Sequence, residues 1–310
     1  MNISKIDPGY QITKINGGSV GHVELVTGTY ENKPFKAVIK TQKKWERPGD
    51  PNSWRREYDL YASNLGEIFT ENFRWPKCYH AEMNNDETKL WLEYIDGVSG
   101  ADLTVEMYEK IAEGLGRFHG KLHTEKATLT IENLADPDGM KNFYHYYRSK
   151  KHLYNYIRQA DCKIPSHLRK MIIEMDEKAD KTWTEIEKMP LVLRHGDFFP
   201  PNIFYSNGYI TLIDWDSAGW GYLGEDIVNL IADTDDADHM VEHYHKCVPA
   251  YLKGFAEFSE RIENPYIHER IIMHFGYRLI DEFTWLNEAK TPDEQRLDLE
   301  VLQKIYEMRH

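Results

Sequence analysis

One stretch limits the chain more than any other. It is His195-Gly196-Asp197-Phe198-Phe199-Pro200-Pro201-Asn202-Ile203-Phe204, followed twelve residues after Asn202 by Ile213-Asp214-Trp215-Asp216. Leu191-Val192-Leu193 is a short apolar strand that delivers His195, and Tyr209–Ile213 is a buried strand that ends at Asp214. An Asp and an Asn five residues apart, then an Asp at the end of an apolar strand, is a demanding pattern. Phosphoryl transfer from a nucleotide needs a carboxylate near the attacking hydroxyl and oxygen ligands that hold Mg²⁺ against the phosphates. Asp197 suits the first task, as proton acceptor or as the group that orients the hydroxyl. Asn202, through its amide oxygen, and Asp214, through its carboxylate, suit the second. His195 reads as structural, holding the loop by hydrogen bonds.

Length and composition narrow the setting. At 310 residues the chain is long for one core and suits two lobes. Charged residues make up 29% and aromatic residues 13%, which belongs to a folded chain rather than a disordered one. A net charge of −13 disfavours nucleic acid and anionic membranes and favours cationic or neutral partners; it serves solubility equally well. Cys78, Cys162 and Cys247 are odd in number and far apart, with no C-x-x-C, so neither a disulfide framework nor a zinc site is expected. Reduced thiols in a cytosol fit best. The first residues lack the apolar segment of a signal peptide, and no run reaches the roughly 18 apolar residues of a membrane helix. The expected location is cytoplasmic, with no membrane partner.

Along the chain, Tyr10–Ile15 and Val23–Val26 read as strands around Asn16-Gly17-Gly18-Ser19-Val20-Gly21. That is the geometry of a loop that lays backbone N–H groups on phosphates, with Gly18 and Ser19 facing them; it is also the geometry of a plain hairpin. Ala37-Val38-Ile39 is an apolar run ending on Lys40. Ser53 caps a helix whose apolar face is Trp54, Tyr58, Tyr61 and Leu65, closed by Gly66. Glu57 lies beside that face, where it can meet Lys40; next to Arg55 and Arg56 it also reads as a solvent-facing charge. Phe73–Ala81 and Lys89–Ile95 read as two strands around the turn Asn84-Asn85-Asp86-Glu87. From Leu103 the pattern turns helical, with Met107, Ile111, Leu115, Phe118 and Leu122 on one face. His119 and His123 stand four apart but lack the Glu and third ligand of a zinc motif, so they read as ordinary helix histidines. A tyrosine-rich helix runs through Tyr144, Tyr147, Leu153, Tyr154 and Ile157, another through Leu168–Trp183, and three more over 240–258, 266–286 and 295–308.

Asp197, Asn202 and Asp214 stand in the pattern H-R-D-x-x-x-x-N and D-F-G, with Gly196 for the Arg and Trp215-Asp216 for the Phe-Gly. This variant resembles the aminoglycoside phosphotransferase and choline kinase family, kinases of small molecules, over residues 12 to 232. The resemblance implies an α+β, bilobal protein-kinase-like fold, with an antiparallel sheet lobe and one helix over 1–95 and a mainly helical catalytic and acceptor-binding lobe over 96–310. It implies that Lys40 ends a V-A-I-K-like strand and binds α- and β-phosphate oxygens, with Glu57 as its partner. Leu90–Ile95 would link the lobes, the Glu93 carbonyl and Ile95 N–H facing adenine, Leu92 closing the pocket and Ile213 packing under the ring. Asp226 matches the Asp that braces the catalytic loop. The implied cofactors are ATP or GTP and Mg²⁺. Phe198-Phe199-Pro200-Pro201 departs from the family, which more often carries a polar residue or glycine near Phe199 and Pro201. Two prolines also remove two backbone donors.

Two rivals read less well. A protein kinase would need an Ala-Pro-Glu motif and a long activation segment, whereas only Asp216–Gly224 separates Asp214 from the next helix. A pseudokinase would be expected to lack one of Lys40, Asp197, Asn202 and Asp214, and all four are present. The expected partner is therefore a small hydroxyl-bearing acceptor such as an antibiotic, amino alcohol or sugar, bound by a monomer or homodimer. Asp216 suits a metal or substrate contact, or equally a bracing hydrogen bond. Asp233, Asp235, Asp236 and Asp238, and further on Asp281 and Glu282 beside Phe283 and Trp285, suit a cationic acceptor. The 233–238 cluster reads more readily as a solvated acidic loop, and Asp281 and Glu282 read equally as the ordinary polar face of a helix.

Overall fold

Alternating burial along Lys33–Lys43 sets up the first layer of the structure. The computed structural model describes residues 6–7, 9–15, 21–45, 47, 49–232, 234–285 and 291–309. Strands β1 (Gln11–Lys14), β2 (Gly21–Tyr30) and β3 (Lys33–Lys43) pair in sequence, and β3 then takes β6 (Glu87–Glu93) and β5 (Cys78–Met83) on its other side. All pairings in this five-stranded sheet are antiparallel, with Val23 and Leu90 flanking Lys40. Ala37 and Ile39 pack with Val26 on one face. Lys40 and Gln42, one residue out of step, point to the opposite face, as the two-residue period of a strand requires.

Helix α1 (Ser53–Ala62) packs against β3, β5 and β6. It buries Ser53, Trp54, Arg56, Glu57 and Leu60, a face rotated away from the apolar one expected, since Tyr58 and Tyr61 are half-buried. Two charged residues sit inward because each has partners there, as described below. The strand expected over Phe73–Ala81 is divided into β4 (Phe73–Arg74) and β5, with Pro76 between them, a residue that cannot donate to a ladder. β4 pairs in parallel with β9 (Tyr209–Leu212), Phe73 opposite Ile210, and β9 pairs with β8 (Ile203–Ser206), a strand not foreseen. Leu60, Leu65, Ile68 and Phe73 thereby join the main hydrophobic core, although they precede the linker strand β6.

The rest is mainly helical: α2 (Val105–Glu125), α3 (Gly139–Arg148), α4 (Lys151–Tyr156) and α5 (Ser166–Ile186) precede β7 (Leu191–Arg194), which pairs with β10 (Gly219–Tyr222). Then come α6 (Glu225–Ile231), α7 (Met240–Ala256), α8 (Ile267–Trp285) and α9 (Pro292–Glu307). The tyrosine-rich helix is two helices, α3 and α4, parted at Lys150, whose backbone is extended. Thr104 caps α2 and a Thr291–Glu294 capping box opens α9. At the centre α2 and α7 approach closely enough to exclude side chains. A Cβ on Gly116 would lie 2.0 Å from the Tyr251 carbonyl oxygen, and one on Gly254 would lie 2.2 Å from that of Glu113. Among the described residues no helix is long and apolar enough to cross a membrane.

Candidate active site

The site is assembled on the strand ends of β7 and β9. β7 delivers His195 and Gly196, the latter at φ +81°, where a Cβ would come within 2.3 Å of the Ser217 carbonyl oxygen. His195 lies under the loop. Its Nε2 donates to the Ile213 carbonyl (2.8 Å), and its Nδ1 faces the Asp197 N–H (3.3 Å), so both ring nitrogens hold the loop in place. Asp226, buried in the first turn of α6, accepts from the N–H groups of His195 (2.7 Å) and Gly196 (3.0 Å) and so braces the loop. Burial pushes the Asp226 carboxyl up, but His119, His195 and the Gly196 N–H outweigh it and hold the group below the ordinary aspartate range.

His119 is thus more than a helix histidine. Its Nε2 lies 3.6 Å from Asp226, and its Nδ1 is 2.9 Å from the Tyr251 hydroxyl, which in turn accepts the Gly224 N–H. The sequence could not show this, because Tyr251 is 132 residues away on α7.

Asn202 donates through Nδ2 to the Asp197 carboxylate (2.9 Å) and to the Asp197 carbonyl (3.0 Å). Its amide oxygen is thereby turned away from Asp197. The loop's own amide bonds come from Asp197, Phe199 and Asn202. Pro200 and Pro201 open a 3-10 turn, where the first N–H groups have no partner in any case, so the two prolines cost the loop no hydrogen bond. Burial raises the Asp197 carboxyl above the ordinary aspartate value, and Asp214 and Asp216 add to this against His195 and Asn202.

Asp214 follows β9 in the left-handed region, at φ 65°. The Ile213 N–H bonds the Asn202 carbonyl (3.0 Å), which sets Asp214 beside Asn202. From the sheet, the Lys40 ammonium reaches both Asp214 Oδ1 (2.6 Å) and Glu57 Oε2 (2.6 Å). Burial alone would lower the Lys40 pKa; the two carboxylates reverse that and raise it, so the side chain stays a cation. For Asp214 burial pushes up, and Lys40 more than compensates, holding the carboxyl low. Glu57 is raised by its burial and by the neighbouring Asp214 charge, which exceed the pull of Lys40. Glu57 is accordingly a buried partner of Lys40 and not a solvent-facing charge.

Other expected positions fall as follows. Gly18 and Ser19 lie outside the described residues. Leu92 is buried on β6 opposite Val38, and Ile95 and Ile213 are half-buried. The Glu93 side chain takes Arg74 (2.5 Å) and the Lys77 N–H (3.0 Å), anchoring the strand just before the linker. Asp216 is braced: its carboxylate accepts from Ser217 Oγ (2.9 Å) and pairs with Arg47 (3.3 Å). Asp281 is paired with Lys150 (2.5 Å) and His152 (3.3 Å), and Glu282 with Arg278 (2.9 Å), so neither stands as an uncompensated charge. Trp285 ends α8, and its side chain, like Asp233 and the side chain of Asp235, lies outside the described residues. Asp236 bonds His239 (2.7 Å) and lines a cavity of about 500 Å³ with Leu103, Thr104, Glu106, Pro201 and Glu242. Pro201 belongs to the loop that carries Asp197 and Asn202, so this cavity opens next to it.

Among the described residues no group of three or more His, Cys, Asp or Glu is arranged to hold a metal. Two hard oxygen donors, Asn202 and Asp214, fit Mg²⁺, which takes most of its six ligands from water and phosphate. The orientation of Asn202, amide nitrogen toward Asp197, leaves the donor atom that such an ion needs.

Comparison with known proteins bears on the family and the fold. A model of the phosphotransferase enzyme family matches residues 48–258. No curated protein matches the chain in sequence. Solved structures do match in shape. An aminoglycoside phosphotransferase from Alicyclobacillus acidocaldarius superimposes with a TM-score of 0.62 at 14% identity, over 99% of this chain and 92% of the other. An amicoumacin kinase, solved with AMP-PNP, Ca²⁺ and Ami, gives 0.56 at 16% identity, over 97% and 89%. A choline kinase from Cryptosporidium parvum gives 0.53 at 16% identity, over 100% and 90%. At these identities the likeness is one of fold, and the fold is the α+β, bilobal, kinase-like one. With the family match spanning well over half of its length, the chain belongs to the phosphotransferase enzyme family.

Proposed function

We propose that the protein transfers the γ-phosphate of ATP or GTP to a hydroxyl of a small, cationic acceptor, with Mg²⁺ held by Asn202 and Asp214. The observation that carries this reading is the Lys40 ammonium seated between Glu57 and Asp214, with Asp197 pinned by Asn202 on the adjoining loop. Lys40 supplies a fixed positive charge for α- and β-phosphate oxygens. Mg²⁺, when bound, neutralises charge on the phosphates. Asp197 orients the acceptor hydroxyl and takes its proton, a task that its raised pKa favours over that of an exposed aspartate. His195 and Asp226 hold the loop in place and take no part in proton transfer. The half-buried Ile95 N–H, for which no hydrogen bond is seen among the described residues, is the donor offered to the base.

For the acceptor, the cavity beside Pro201 is the better site than Asp281 and Glu282. There Glu106, Asp236 and Glu242 line one space beside the loop that carries Asp197, although Asp236 bonds His239 and Glu242 pairs with Lys246; Asp281, paired with Lys150, lines no such space with that loop. Carboxylates in a cleft attract and orient ammonium groups. A panel of amino sugars, amino alcohols, sugars and antibiotics, assayed for Mg-ATP-dependent phosphorylation, tests the reading. With the acceptor in hand, Glu106→Gln combined with Glu242→Gln is expected to raise its KM about tenfold, an effect of ~1.4 kcal/mol, and to leave the KM for ATP unchanged. A neutral or anionic acceptor, or an unchanged KM, rules the cationic reading out.

The metal assignment has its own test. Asp214→Ala removes a charged ligand and Asn202→Ala a neutral one. The Mg²⁺ concentration for half-maximal activity is expected to rise by at least about tenfold in Asp214→Ala and by less in Asn202→Ala. Mg²⁺ titrations that coincide for both variants and wild type would refute the assignment.

A further inference from the structure

Helix α1 carries a second buried charge that the mechanism above does not use. Arg56, next to Glu57, is 0% exposed. Its Nε donates to the Asn133 carbonyl (2.9 Å), and Nη1 to the Asp216 carbonyl (2.6 Å) and to Asp50 Oδ2 (2.7 Å); Nη2 pairs with Asp50 Oδ1. These partners lie in three separate places. Asp50 is in the loop before α1. Asn133 shortly precedes Ala135, which bridges to Gly219 on β10. Asp216 is in the 3-10 turn Trp215–Ser217 that starts immediately after Asp214.

A buried ion pair is an inefficient way to stabilise a fold, because desolvation offsets its Coulombic gain. What a guanidinium does supply is a rigid planar fork of donors that fixes several acceptors relative to one another. Here the fork fixes α1, and with it Glu57, relative to the backbone two residues beyond Asp214. Asp214 itself holds a left-handed conformation that non-glycine residues seldom adopt, so the turn after it needs an anchor. Arg47 also reaches this turn, but through the Asp216 side chain and Ser217 Oγ (3.0 Å), and its side chain is 30% exposed.

We propose that Arg56 is a positioning residue: by tying α1 to the Asp216 carbonyl, it holds the turn after Asp214, and so the Asp214 carboxylate, in the arrangement that binds the metal. This rests on the kinase reading, with Asp214 as a metal ligand. The test measures the affinity of a non-hydrolysable ATP analogue for the full chain by calorimetry, once with Mg²⁺ and once with EDTA. Wild type is expected to bind more tightly with Mg²⁺. In Arg56→Gln that Mg²⁺-dependent gain is expected to shrink about tenfold, as for other groups that orient metal ligands, while affinity in EDTA stays within about twofold. Arg56→Lys should lose most of the gain as well, since it keeps the charge but not the fork. A folded Arg56→Gln protein with the full Mg²⁺ gain overturns the proposal. So does equal weakening with and without Mg²⁺, which is the mark of a merely structural role. If Arg56→Gln does not fold, Asp50→Asn, which frees the guanidinium from its carboxylate, is expected to reduce the gain, and an undiminished gain overturns the proposal. Wild type that binds no more tightly with Mg²⁺ brings down the kinase reading itself, an outcome distinct from the others.

Discussion

Asp197→Asn is expected to lower turnover by about 10³-fold while leaving nucleotide affinity close to wild type. The substitution is nearly isosteric, and the geometry says what it changes. Asn202 Nδ2 donates to the Asp197 carboxylate, so the new amide must turn its oxygen toward Asn202 to keep that bond. Its NH₂ group then faces the acceptor, a donor where the hydroxyl needs an acceptor for its own proton. Loop position survives, because the bracing bonds of Asp226 fall on main-chain N–H groups. The measurement is steady-state turnover with an acceptor from the panel, beside calorimetry with the ATP analogue. Wild-type turnover in the purified variant would remove Asp197 from the chemistry.

Gly116→Ala is expected to destabilise the protein by about 3 kcal/mol or more, although alanine is the better helix former by roughly 1 kcal/mol. The new methyl would sit 2.0 Å from the Tyr251 carbonyl oxygen and 2.9 Å from the Phe255 nitrogen, both backbone atoms that cannot swing aside. To make room, α2 and α7 must separate, and each carries part of the loop's support: His119 on α2 and Tyr251 on α7. The control is Gly66→Ala, whose methyl would meet nothing closer than 3.6 Å, at a Trp75 side chain. Thermal unfolding compares them: a Gly116→Ala midpoint equal to that of Gly66→Ala would show that the helices yield more easily than their contact suggests.

The clustering of Asp197, Asn202 and Asp214 was legible because their spacing is local. Asp197 and Asn202 share one loop, and Asp214 follows within the same hairpin-like unit of β8 and β9. Apolar period served well for α2, whose buried face includes Ile111, Leu115, Phe118 and Leu122, as expected. It misplaced the face of α1, since periodicity counts apolar residues and Arg56 and Glu57 are buried through charge pairing. It merged β4 with β5 and α3 with α4, where the breaks come from one proline and from one extended lysine. His119, Arg56 and Arg47 went unrecognised for a different reason. Each acts through partners 132, 160 and 169 residues distant, and no spacing rule reaches that far.

The loop that carries Asp197 and Asn202 also divides its positions into two kinds. Its fastening uses the amides of residues 195, 196, 197, 199 and 202, together with the Asn202 side chain. The side chains of half-buried Phe199 and exposed Pro201 make no bond in that fastening, to which Pro201 adds only its carbonyl, the acceptor of a bond from Ser99 Oγ (3.3 Å), and Pro201 lines the neighbouring cavity. Such a loop can exchange the side chains at 199 and 201 without moving Asp197. Under the proposed function, a change at Pro201 would reshape the wall of the neighbouring cavity, and so the acceptor it takes, while the fastening of Asp197 stays as it is.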